Sequence, residues 1–244
     1  MSARYGVVGW PVAHSRSPLI HNYWLQRAGI DAVYEAVAVP PEADFRAKLE
    51  ELREQGFAGV NVTIPHKEAA YAAVDTHDEA AAHLGAVNTI LLTGGKISGH
   101  NTDGRGFIDS LSPARDWASG PALVLGAGGA ARAIVGALLA AGLSDIRVSN
   151  RTRARAEAVA ALADTPENSG VVRVFDWAAR AQAAEGATLL VNTTSLGMQG
   201  APALDMSLDT LAAKATVADI VYVPLETDLL ARARSQGHMP VNGL

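Results

Sequence analysis

The sequence predicts an α/β fold in two domains, with a largely parallel sheet. Three observations support this prediction: β-rich runs alternate with helical runs along the chain, loop-forming residues interrupt the alternation at Ser112–Gly120, and five short β-rich runs follow that interruption. The last pattern is typical of a doubly wound sheet. We therefore expect an α/β domain over residues 1–111 and a doubly wound domain over residues 112–244.

The first domain is expected to alternate strands with helices and to close with a hairpin. Ser17 before a proline predicts a helix N-terminus with Ser17 as its N-cap, and Gly29 is the expected stop. Phe45, Leu49 and Leu52 have the spacing of the buried face of a helix. The predicted strands are Tyr5–Gly9, Val33–Val39 and Gly59–Ile64, the hairpin pairs Ala86–Leu92 with Lys96–His100, and the predicted helices cover residues 17–29, 42–55 and an alanine-rich stretch from 65 to 84.

The second domain is expected to contain five short strands with helices between them. Alanine is frequent in the segments between the β-rich runs and favours helix formation. The predicted strands are Ala122–Gly126, Ile146–Ser149, Val171–Val174, Thr188–Asn192 and Val217–Val221.

The composition limits the functions that this chain can have. Its 244 residues are 49% hydrophobic and 18% charged, which is enough to bury a core and is incompatible with disorder. The net charge of −5 disfavours nucleic acid and anionic membranes as the main partner, because a polyanion-binding protein is expected to be basic. The absence of cysteine excludes disulfides and thiol nucleophiles. No secretory signal or membrane-spanning stretch is recognisable, so we expect a cytoplasmic protein.

A glycine-rich turn follows the first strand of the second domain and opens a helix. It fits the pattern G-x-G-x-x-G/A with Ala131 in the third place. The first glycine allows a tight turn, the second lets the backbone approach a pyrophosphate, and the third small residue lets helix and strand pack closely. The helix N-terminus adds N–H groups and a partial positive charge. The turn predicts a dinucleotide site in a Rossmann-like domain, formed by Gly126, Ala127, Gly128, Gly129 and Ala130.

The end of the next strand indicates which dinucleotide binds. An NAD site would place Asp or Glu there for the ribose hydroxyl, but this segment holds three arginines and no carboxylate. The planar fork of donors on arginine matches a 2′-phosphate. Cations are also unfavourable at a helix N-terminus unless an anion is near. We therefore predict NADP, in contact with Asn150, Arg151, Thr152, Arg153, Ala154 and Arg155.

The first domain carries polar residues at expected strand ends and helix starts. Ser15 and Ser17 precede a helix, where hydroxyls and backbone amides can bind a small anion such as a carboxylate. Lys67 follows a strand that stops at a proline, and the runs G-A-V-N-T (85–89) and N-T-D-G (101–104) lie beside other strand ends. Taken singly, each segment is also what a helix cap, a turn or a surface lysine would show.

Together these segments resemble the shikimate dehydrogenase family, in order and over essentially the whole chain. The motifs are G-x-P-x-x-H-S-x-S-P (9–18), N-V-T-I-P-H-K (61–67), G-A-V-N-T, N-T-D-G, G-A-G-G-A (126–130), N-R-T (150–152) and N-T-T-S-x-G-M (192–198). Several of them are rare in other dinucleotide enzymes. The resemblance implies an N-terminal substrate domain, a C-terminal NADP-binding domain, and reversible reduction of 3-dehydroshikimate to shikimate with NADPH in chorismate and aromatic amino-acid biosynthesis.

The resemblance also implies roles for individual residues. Lys67 would be the catalytic acid/base group, paired with Asp103. Ile220 and Gly243 would join the NADP contacts. The substrate carboxylate would be held by Ser15, Ser17 and Tyr222, and the ring hydroxyls by Thr63, Asn88 and Asp103.

A lysine–aspartate pair suits the reaction that the family implies. Hydride transfer to a ketone leaves a developing alkoxide, which needs a proton donor and a nearby positive charge. Lys67 can supply both, while Asp103 can orient its ammonium group. We expect the active site in a cleft between the domains, where ligands bind in this architecture, and we expect binding to narrow that cleft.

The chain departs from the family pattern at its C-terminus. The sequence ends at Val241-Asn242-Gly243-Leu244, whereas family members usually continue through a Gly-Met-Leu-x-x-Gln motif and a terminal helix or two. We therefore expect the substrate-contacting glutamine of that segment to be absent. We also expect exposed apolar surface near the start of the chain.

Two alternative functions remain open. The chain could be a quinate or dual quinate/shikimate dehydrogenase, although Ser15 and Thr63 favour shikimate. It could also be a non-catalytic protein that binds NADP(H) or shikimate, which the retention of Lys67 and Asp103 disfavours. We expect a monomer or homodimer.

No catalytic metal is expected. The seven histidines show neither an i,i+4 pair nor an H-E-x-x-H pattern. His66, next to the candidate acid/base lysine, is expected at the edge of a pocket or in solvent.

Overall fold

The computed structural model describes residues 2–111 and 116–243, and the chain divides into two compact units. Unit 1 extends to Thr102, and unit 2 begins at Asp103, whereas the sequence places the boundary after residue 111. The helix that starts at Asp103 packs within unit 2, where a side chain at Gly104 would collide with the carbonyl oxygen of Ala133 at 2.8 Å. Of the predicted linker Ser112–Gly120, residues 112–115 lie outside the described residues.

Unit 1 is built on a mixed sheet with helices on its faces. Its strands are β1 (Ala3–Gly9), β2 (Ala32–Ala38), β3 (Phe57–Val62), β4 (Thr76–His77), β5 (Thr89–Leu91) and β6 (Ser98–His100), and its helices are α1 (Ser17–Ala28), α2 (Phe45–Glu54), α3 (Lys67–Ala73) and α4 (Glu79–Leu84). The strand order is β2-β1-β3-β5-β6-β4. β1 runs parallel to β2 and β3, whereas β5 is antiparallel to β3 and β6. The antiparallel β5–β6 pair confirms the predicted hairpin.

Two local predictions in unit 1 are corrected. The alanine-rich stretch from 65 to 84 is not one helix, because β4 pairs with β6 in its middle and Asp78 begins α4 by accepting the Ala81 N–H at 2.7 Å. Ser17 is the first residue of α1 and not its N-cap, a position held by Arg16 without a side-chain cap.

The strands of unit 1 bury side chains on both faces of the sheet. Val8 on β1 belongs to the cluster with Leu49 and Leu52 of α2, which confirms the predicted buried face of that helix. The neighbouring Val7 points to the other face, where it packs with Tyr34. This alternation follows the period of two in a β-strand.

Unit 2 is a parallel sheet with helices on both faces. Its elements are α5 (Asp103–Ser110), β7 (Ala122–Leu125), α6 (Gly129–Ala140), β8 (Ile146–Asn150), α7 (Arg153–Ala163), β9 (Val172–Asp176), a 3-10 turn (Trp177–Ala179), α8 (Arg180–Ala183), β10 (Leu189–Asn192), β11 (Thr216–Asp219), α9 (Asp228–Ser235) and β12 (Met239–Val241). The order β9-β8-β7-β10-β11-β12 is that of a doubly wound Rossmann sheet, and its pairings are parallel. The predicted fold class is therefore confirmed. The five predicted strands are present with ends shifted by up to two residues, and β12 was not predicted.

The central strands of unit 2 are covered on both sides. Val124 belongs to the cluster on one face and Leu123 and Leu125 to the cluster on the other. Continuous apolar runs are typical of such parallel strands. None of the helices in residues 2–111 and 116–243 is long and apolar enough to cross a membrane.

Candidate active site

The turn after β7 requires its first glycine. Gly126 has φ +114°, a conformation that L side chains rarely adopt, and its N–H donates to the Ser149 carbonyl at 2.9 Å. A Cβ at this position would fall on the Thr193 hydroxyl, directly beyond β10. Because strand order reverses between β7 and β10, the turn lies at the topological switch point, where ligands bind in such sheets.

The later glycines of the turn face open space. A Cβ at Gly128 or Gly129 would meet no heavy atom of the described residues within 4 Å. Gly129 is the first residue of α6, a 12-residue helix whose N-cap, Gly128, makes no side-chain cap, and Ala131 is fully buried. The start of α6 therefore has backbone N–H groups without a side-chain cap and open space beside them, an arrangement that suits a phosphate.

The segment after β8 places its arginines in two different environments. Arg153 pairs with Glu157 at 2.8 Å and with Asp176 at 2.7 Å, and the hydrogen bond that Arg153 donates to Asp176 raises the pKa of Arg153. Arg151 and Arg155 are exposed and make no ion pair within the described residues. The Asn150 amide donates to the Thr152 carbonyl at 2.9 Å and closes the turn between them. No carboxylate stands at the end of β8 itself.

A buried polar cluster joins the ends of β10 and β11. Asn192 donates through Nδ2 to Asp219 Oδ1 at 3.0 Å, and the same oxygen accepts the Val221 N–H at 3.0 Å. Asp219 Oδ2 accepts the Thr227 hydroxyl at 2.7 Å. Asn192, Asp219 and Thr227 are each at most 1% exposed, and burial raises the pKa of Asp219. Sequence reasoning missed this cluster, although polar residues at the ends of two apolar strands were a signal for it.

The cluster fixes the loop after β11, which carries two predicted site residues, Ile220 and Tyr222. Ile220 donates its N–H to the Asn192 carbonyl at 3.1 Å. Gly243 lies against Ile220, because a Cβ on that glycine would fall on the Ile220 carbonyl. Tyr222 follows on the same loop and is half-buried. The structure thus brings Ile220 and Gly243 together, as a joint cofactor contact requires.

In unit 1, the two serines of the predicted anion site lie at the start of α1, Ser15 just before the helix and Ser17 as its first residue. Ser15 Oγ accepts the Ser17 N–H at 3.2 Å, and both side chains are partly exposed. The Ser15 hydroxyl thus accepts the first N–H of α1 from a position just before the helix. α1 has 12 residues. The arrangement presents hydroxyls and a positive helix end to a small anion.

The strand ends of unit 1 gather further predicted residues at one edge of the sheet. Thr63 donates its N–H to the Val8 carbonyl at 2.9 Å, and a Cβ at Gly9 would approach the Thr63 methyl to 2.5 Å. Lys67 is the first residue of α3, and its carbonyl accepts the Val87 N–H at 2.9 Å. The ends of β1 and β3, the start of α3 and the segment before β5 therefore meet.

His66 has a structural role, which corrects the expectation of a pocket-edge or solvated residue. It is 4% exposed, its Nε2 lies 2.6 Å from the Val39 carbonyl, and its ring packs against Phe45. Since a carbonyl can only accept, Nε2 carries the proton. His66 thus ties the segment before α3 to the strand end after β2 and holds Lys67 next to it in the chain.

Asn88 is fixed by the residues that lead to Asp103. Its Oδ1 accepts the Thr102 N–H at 3.0 Å and the Thr89 hydroxyl at 3.0 Å, and its Nδ2 donates to the Thr102 hydroxyl at 3.1 Å. Asp103 is the next residue and begins α5. The peptide that precedes Asp103 is therefore held by Asn88.

Sequence reasoning also missed Asp78. Its carboxylate accepts the Asn101 N–H at 3.3 Å and lies 3.3 Å from His100 Nδ1, so it holds the segment before Thr102 from the other side. Among the described residues, no three His, Cys, Asp or Glu side chains are grouped so that they could hold a metal ion.

Comparison with known proteins now places the chain. The family model "Shikimate dehydrogenase substrate binding domain" matches residues 7–90, and the model "Shikimate / quinate 5-dehydrogenase" matches residues 111–186. The chain is 51% identical to the shikimate dehydrogenase (NADP(+)) of Paramagnetospirillum magneticum, with 98% of this chain and 86% of the relative covered. It belongs to the shikimate dehydrogenase family.

Other members of the shikimate dehydrogenase family agree with this assignment. The enzyme of Methylobacterium radiotolerans, also named shikimate dehydrogenase (NADP(+)), is 54% identical over 98% of this chain and 84% of its own length. Shikimate 5-dehydrogenase from Thermus thermophilus, solved with NADP(H) and shikimate, is 40% identical with a TM-score of 0.85, covering 99% of this chain and 87% of that one. Quinate dehydrogenase from Corynebacterium glutamicum, solved with NAD, is 30% identical with a TM-score of 0.89, covering 99% and 88%.

Proposed function

We propose that this chain catalyses the NADP-dependent interconversion of shikimate and 3-dehydroshikimate, in the biosynthesis of chorismate and the aromatic amino acids. The observation that supports this proposal most directly is that two features occur together in this chain, one in each unit. Unit 2 has a phosphate-ready turn followed by Arg151 and Arg155 without a carboxylate at the end of β8. Unit 1 gathers a serine anion site and hydroxyl-binding side chains at one sheet edge.

The predicted arginines are expected to contribute unequally to binding of the 2′-phosphate of NADP. Arg153 is already neutralised by Glu157 and Asp176, while Arg151 and Arg155 have no such carboxylate partner among the described residues. We therefore propose that the 2′-phosphate is bound mainly by Arg151 and Arg155. The pyrophosphate would lie at the open side of Gly128 and Gly129.

The proposed substrate residues belong to unit 1, except Asp103 and Tyr222, which belong to unit 2. Ser15 and Ser17 would hold the carboxylate at the start of α1, with Tyr222 assisting, and Thr63, Asn88 and Asp103 would bind the ring hydroxyls. Shikimate and quinate share these groups, so the pocket motifs alone do not separate them, although Ser15 and Thr63 favour shikimate. The family model that names both compounds and the likeness to a quinate dehydrogenase support quinate as a second candidate substrate.

The chemistry needs a group that moves one proton. When bound, NADP+ would supply the hydride acceptor for the carbinol carbon of shikimate, and the hydroxyl proton would have to leave the same carbinol. We propose that Lys67 in its neutral form accepts this proton and returns it in the reverse direction, with Asp103 orienting the amine. His66 and Val87 hold the backbone on either side of Lys67, and Asn88 holds the peptide before Asp103.

The experiment that tests this proposal measures reduced nicotinamide by its absorbance after the chain is mixed with shikimate and NADP. Parallel arms replace shikimate with quinate and NADP with NAD. Turnover with shikimate and NADP, and little with the other pairs, is the expected result. Turnover with quinate alone would favour the second candidate. If no arm turns over while shikimate still binds, the chain is a binding protein and the catalytic proposal fails.

The cellular setting stays a prediction. A chain without cysteine suits a reducing compartment such as the cytoplasm. We propose a monomer or homodimer with small-molecule partners, which light scattering during gel filtration measures directly.

A further inference from the structure

Tyr34 connects two parts of the proposed substrate site in unit 1, the serines at the start of α1 and Asn88. It lies on β2, is 5% exposed, and is held from α1 by two residues. The His21 ring stacks on the Tyr34 ring at 4.2 Å with an angle of 6° between the planes. The Asn22 amide brackets the Tyr34 backbone, accepting its N–H at 2.9 Å and donating to its carbonyl at 2.8 Å. Tyr34 is thus anchored to the helix whose N-terminus carries the serine anion site.

The Tyr34 hydroxyl begins a chain of side-chain hydrogen bonds that ends at Asn88. It donates to Asn61 Oδ1 at 2.7 Å. Asn61 Nδ2 donates to the Thr89 hydroxyl at 3.1 Å, and that hydroxyl donates to Asn88 Oδ1 at 3.0 Å. The chain crosses β2, β3 and β5 in turn, which the strand order β2-β1-β3-β5 makes possible.

The direction of every donor in this chain follows from its first member. An amide oxygen can only accept, so Tyr34 must donate, and burial raises the pKa of Tyr34 so that the phenol keeps its proton. With Asn61 Oδ1 occupied, its Nδ2 faces Thr89. The Thr89 hydroxyl, having accepted, sends its own hydrogen to Asn88 Oδ1. The Asn88 oxygen therefore accepts from the Thr89 hydroxyl and from the Thr102 N–H, while the Asn88 Nδ2 donates to the Thr102 hydroxyl.

We propose that Tyr34 is a positioning residue for shikimate, coupling the anion site at the start of α1 to the orientation of the Asn88 amide. This inference rests on the proposed function. Tyr34 does not need to touch the substrate: it sets α1 through His21 and Asn22, and it sets Asn88 through Asn61 and Thr89. The proposed role depends on the Tyr34 hydroxyl, because that group joins Tyr34 to Asn61.

The test compares Tyr34→Phe with Tyr5→Phe in the otherwise unchanged chain. Both tyrosines line the same cavity of about 310 Å³ beside α1, together with His21, Asn61 and Thr89. The Tyr5 hydroxyl makes no hydrogen bond within the described residues, so Tyr5→Phe removes the same atom without breaking a chain. Calorimetry measures the Kd for shikimate, steady-state kinetics measure the KM for NADP, and thermal unfolding monitors the fold.

We expect Tyr34→Phe to raise the Kd for shikimate about three- to tenfold, the fold-change that one net hydrogen bond produces. The KM for NADP and the affinity of Tyr5→Phe should stay at the wild-type value. A purely structural role would lower the unfolding temperature without this split between substrate and cofactor. Unchanged shikimate affinity in Tyr34→Phe, or an equal rise in Tyr5→Phe, would overturn the inference.

A second variant tests the path through Thr89. Thr89→Val breaks the chain, so adding Tyr34→Phe to it should raise the Kd no further, whereas Thr89→Ser keeps the hydroxyl and should retain wild-type affinity. Additive effects in the double variant would overturn the coupling. Failure of the proposed function is seen separately, because the wild-type chain would then not oxidise shikimate with NADP, whether or not it binds shikimate.

Discussion

Unit 2 presents its proposed ligand site mainly through backbone, whereas unit 1 presents its site through side chains from separate elements. In unit 2, Gly126 makes the turn, and Gly128 and Gly129 leave N–H groups open to a phosphate. In unit 1, Asn88 and Lys67 reach one sheet edge from different elements and are held there by hydrogen bonds. A substitution in unit 2 should therefore act through chain geometry and room for the ligand, and one in unit 1 through single polar groups.

The largest expected effect is at Lys67, because the proposed proton transfer depends on a single atom, the side-chain nitrogen of Lys67. Lys67→Ala should lower kcat for shikimate oxidation by about a hundredfold or more, the usual contribution of an acid/base group. Shikimate affinity should change only modestly, because the proposed binding groups remain. Steady-state kinetics and calorimetry with shikimate measure the two quantities.

Lys96→Ala is the matched control, since Lys96 is an exposed lysine of the same unit. Its kcat should equal that of the wild-type chain. A Lys67→Ala variant with normal kcat would show that another group carries the proton.

Two glycines of unit 2 should affect different properties, one the stability of the fold and the other the binding of NADP. Gly126→Ala meets both the positive φ and the Thr193 hydroxyl, so we expect a loss of about 2 kcal/mol or more in the free energy of unfolding. Gly128→Ala has room and an ordinary φ of −92°, so its unfolding should match wild type while NADP binding weakens. Denaturant unfolding and fluorescence titration with NADPH measure these effects. If Gly128→Ala bound NADPH normally, the phosphate would have to approach elsewhere.

The arginines after β8 should also differ from one another in their effect on NADP binding. Arg151→Ala should raise the KM for NADP about tenfold, as expected for the loss of a charged hydrogen bond, and leave the KM for NAD unchanged. Arg153→Ala should change the KM for NADP less than about twofold, because the Arg153 guanidinium already pairs with the carboxylates of Glu157 and Asp176. Kinetics with both cofactors give the comparison. Equal effects at the two positions would contradict the unequal shares proposed for them.

This contrast between the units also explains what the sequence could predict. The turn at Gly126 and the arginines after β8 are contiguous in the chain, so their geometry is readable from local residues. The Tyr34–Asn61–Thr89–Asn88 chain depends on which strands are neighbours, and no local pattern encodes that order. Three further features depend on long-range pairing in the same way: the burial of His66, the short strand β4 and the cluster around Asp219.

The smallest expected effect concerns Asp219, which belongs to the buried cluster of polar side chains in unit 2. Burial raises the pKa of Asp219, and hydrogen bonds from Thr227, Val221 and Asn192 only partly oppose it. The folded chain therefore holds this proton to higher pH than the unfolded chain does. Between the unfolded and folded pKa values the native state binds more protons, so stability falls as pH rises through that window.

Asp219→Asn should remove this pH-dependent loss, measured as the difference between the unfolding free energies of wild type and variant from acid to neutral pH. Asp145 supplies the opposite case: burial acts to raise its pKa, but hydrogen bonds from Arg173 and Arg147 hold the pKa below its ordinary value. Its contribution is present above the unfolded pKa and is lost as pH falls through the folded pKa. The two difference curves, for Asp219→Asn and Asp145→Asn, should therefore slope in opposite directions. Parallel slopes would mean that Asp219 ionises more easily in the folded chain than in the unfolded one, and that its hydrogen bonds outweigh its burial.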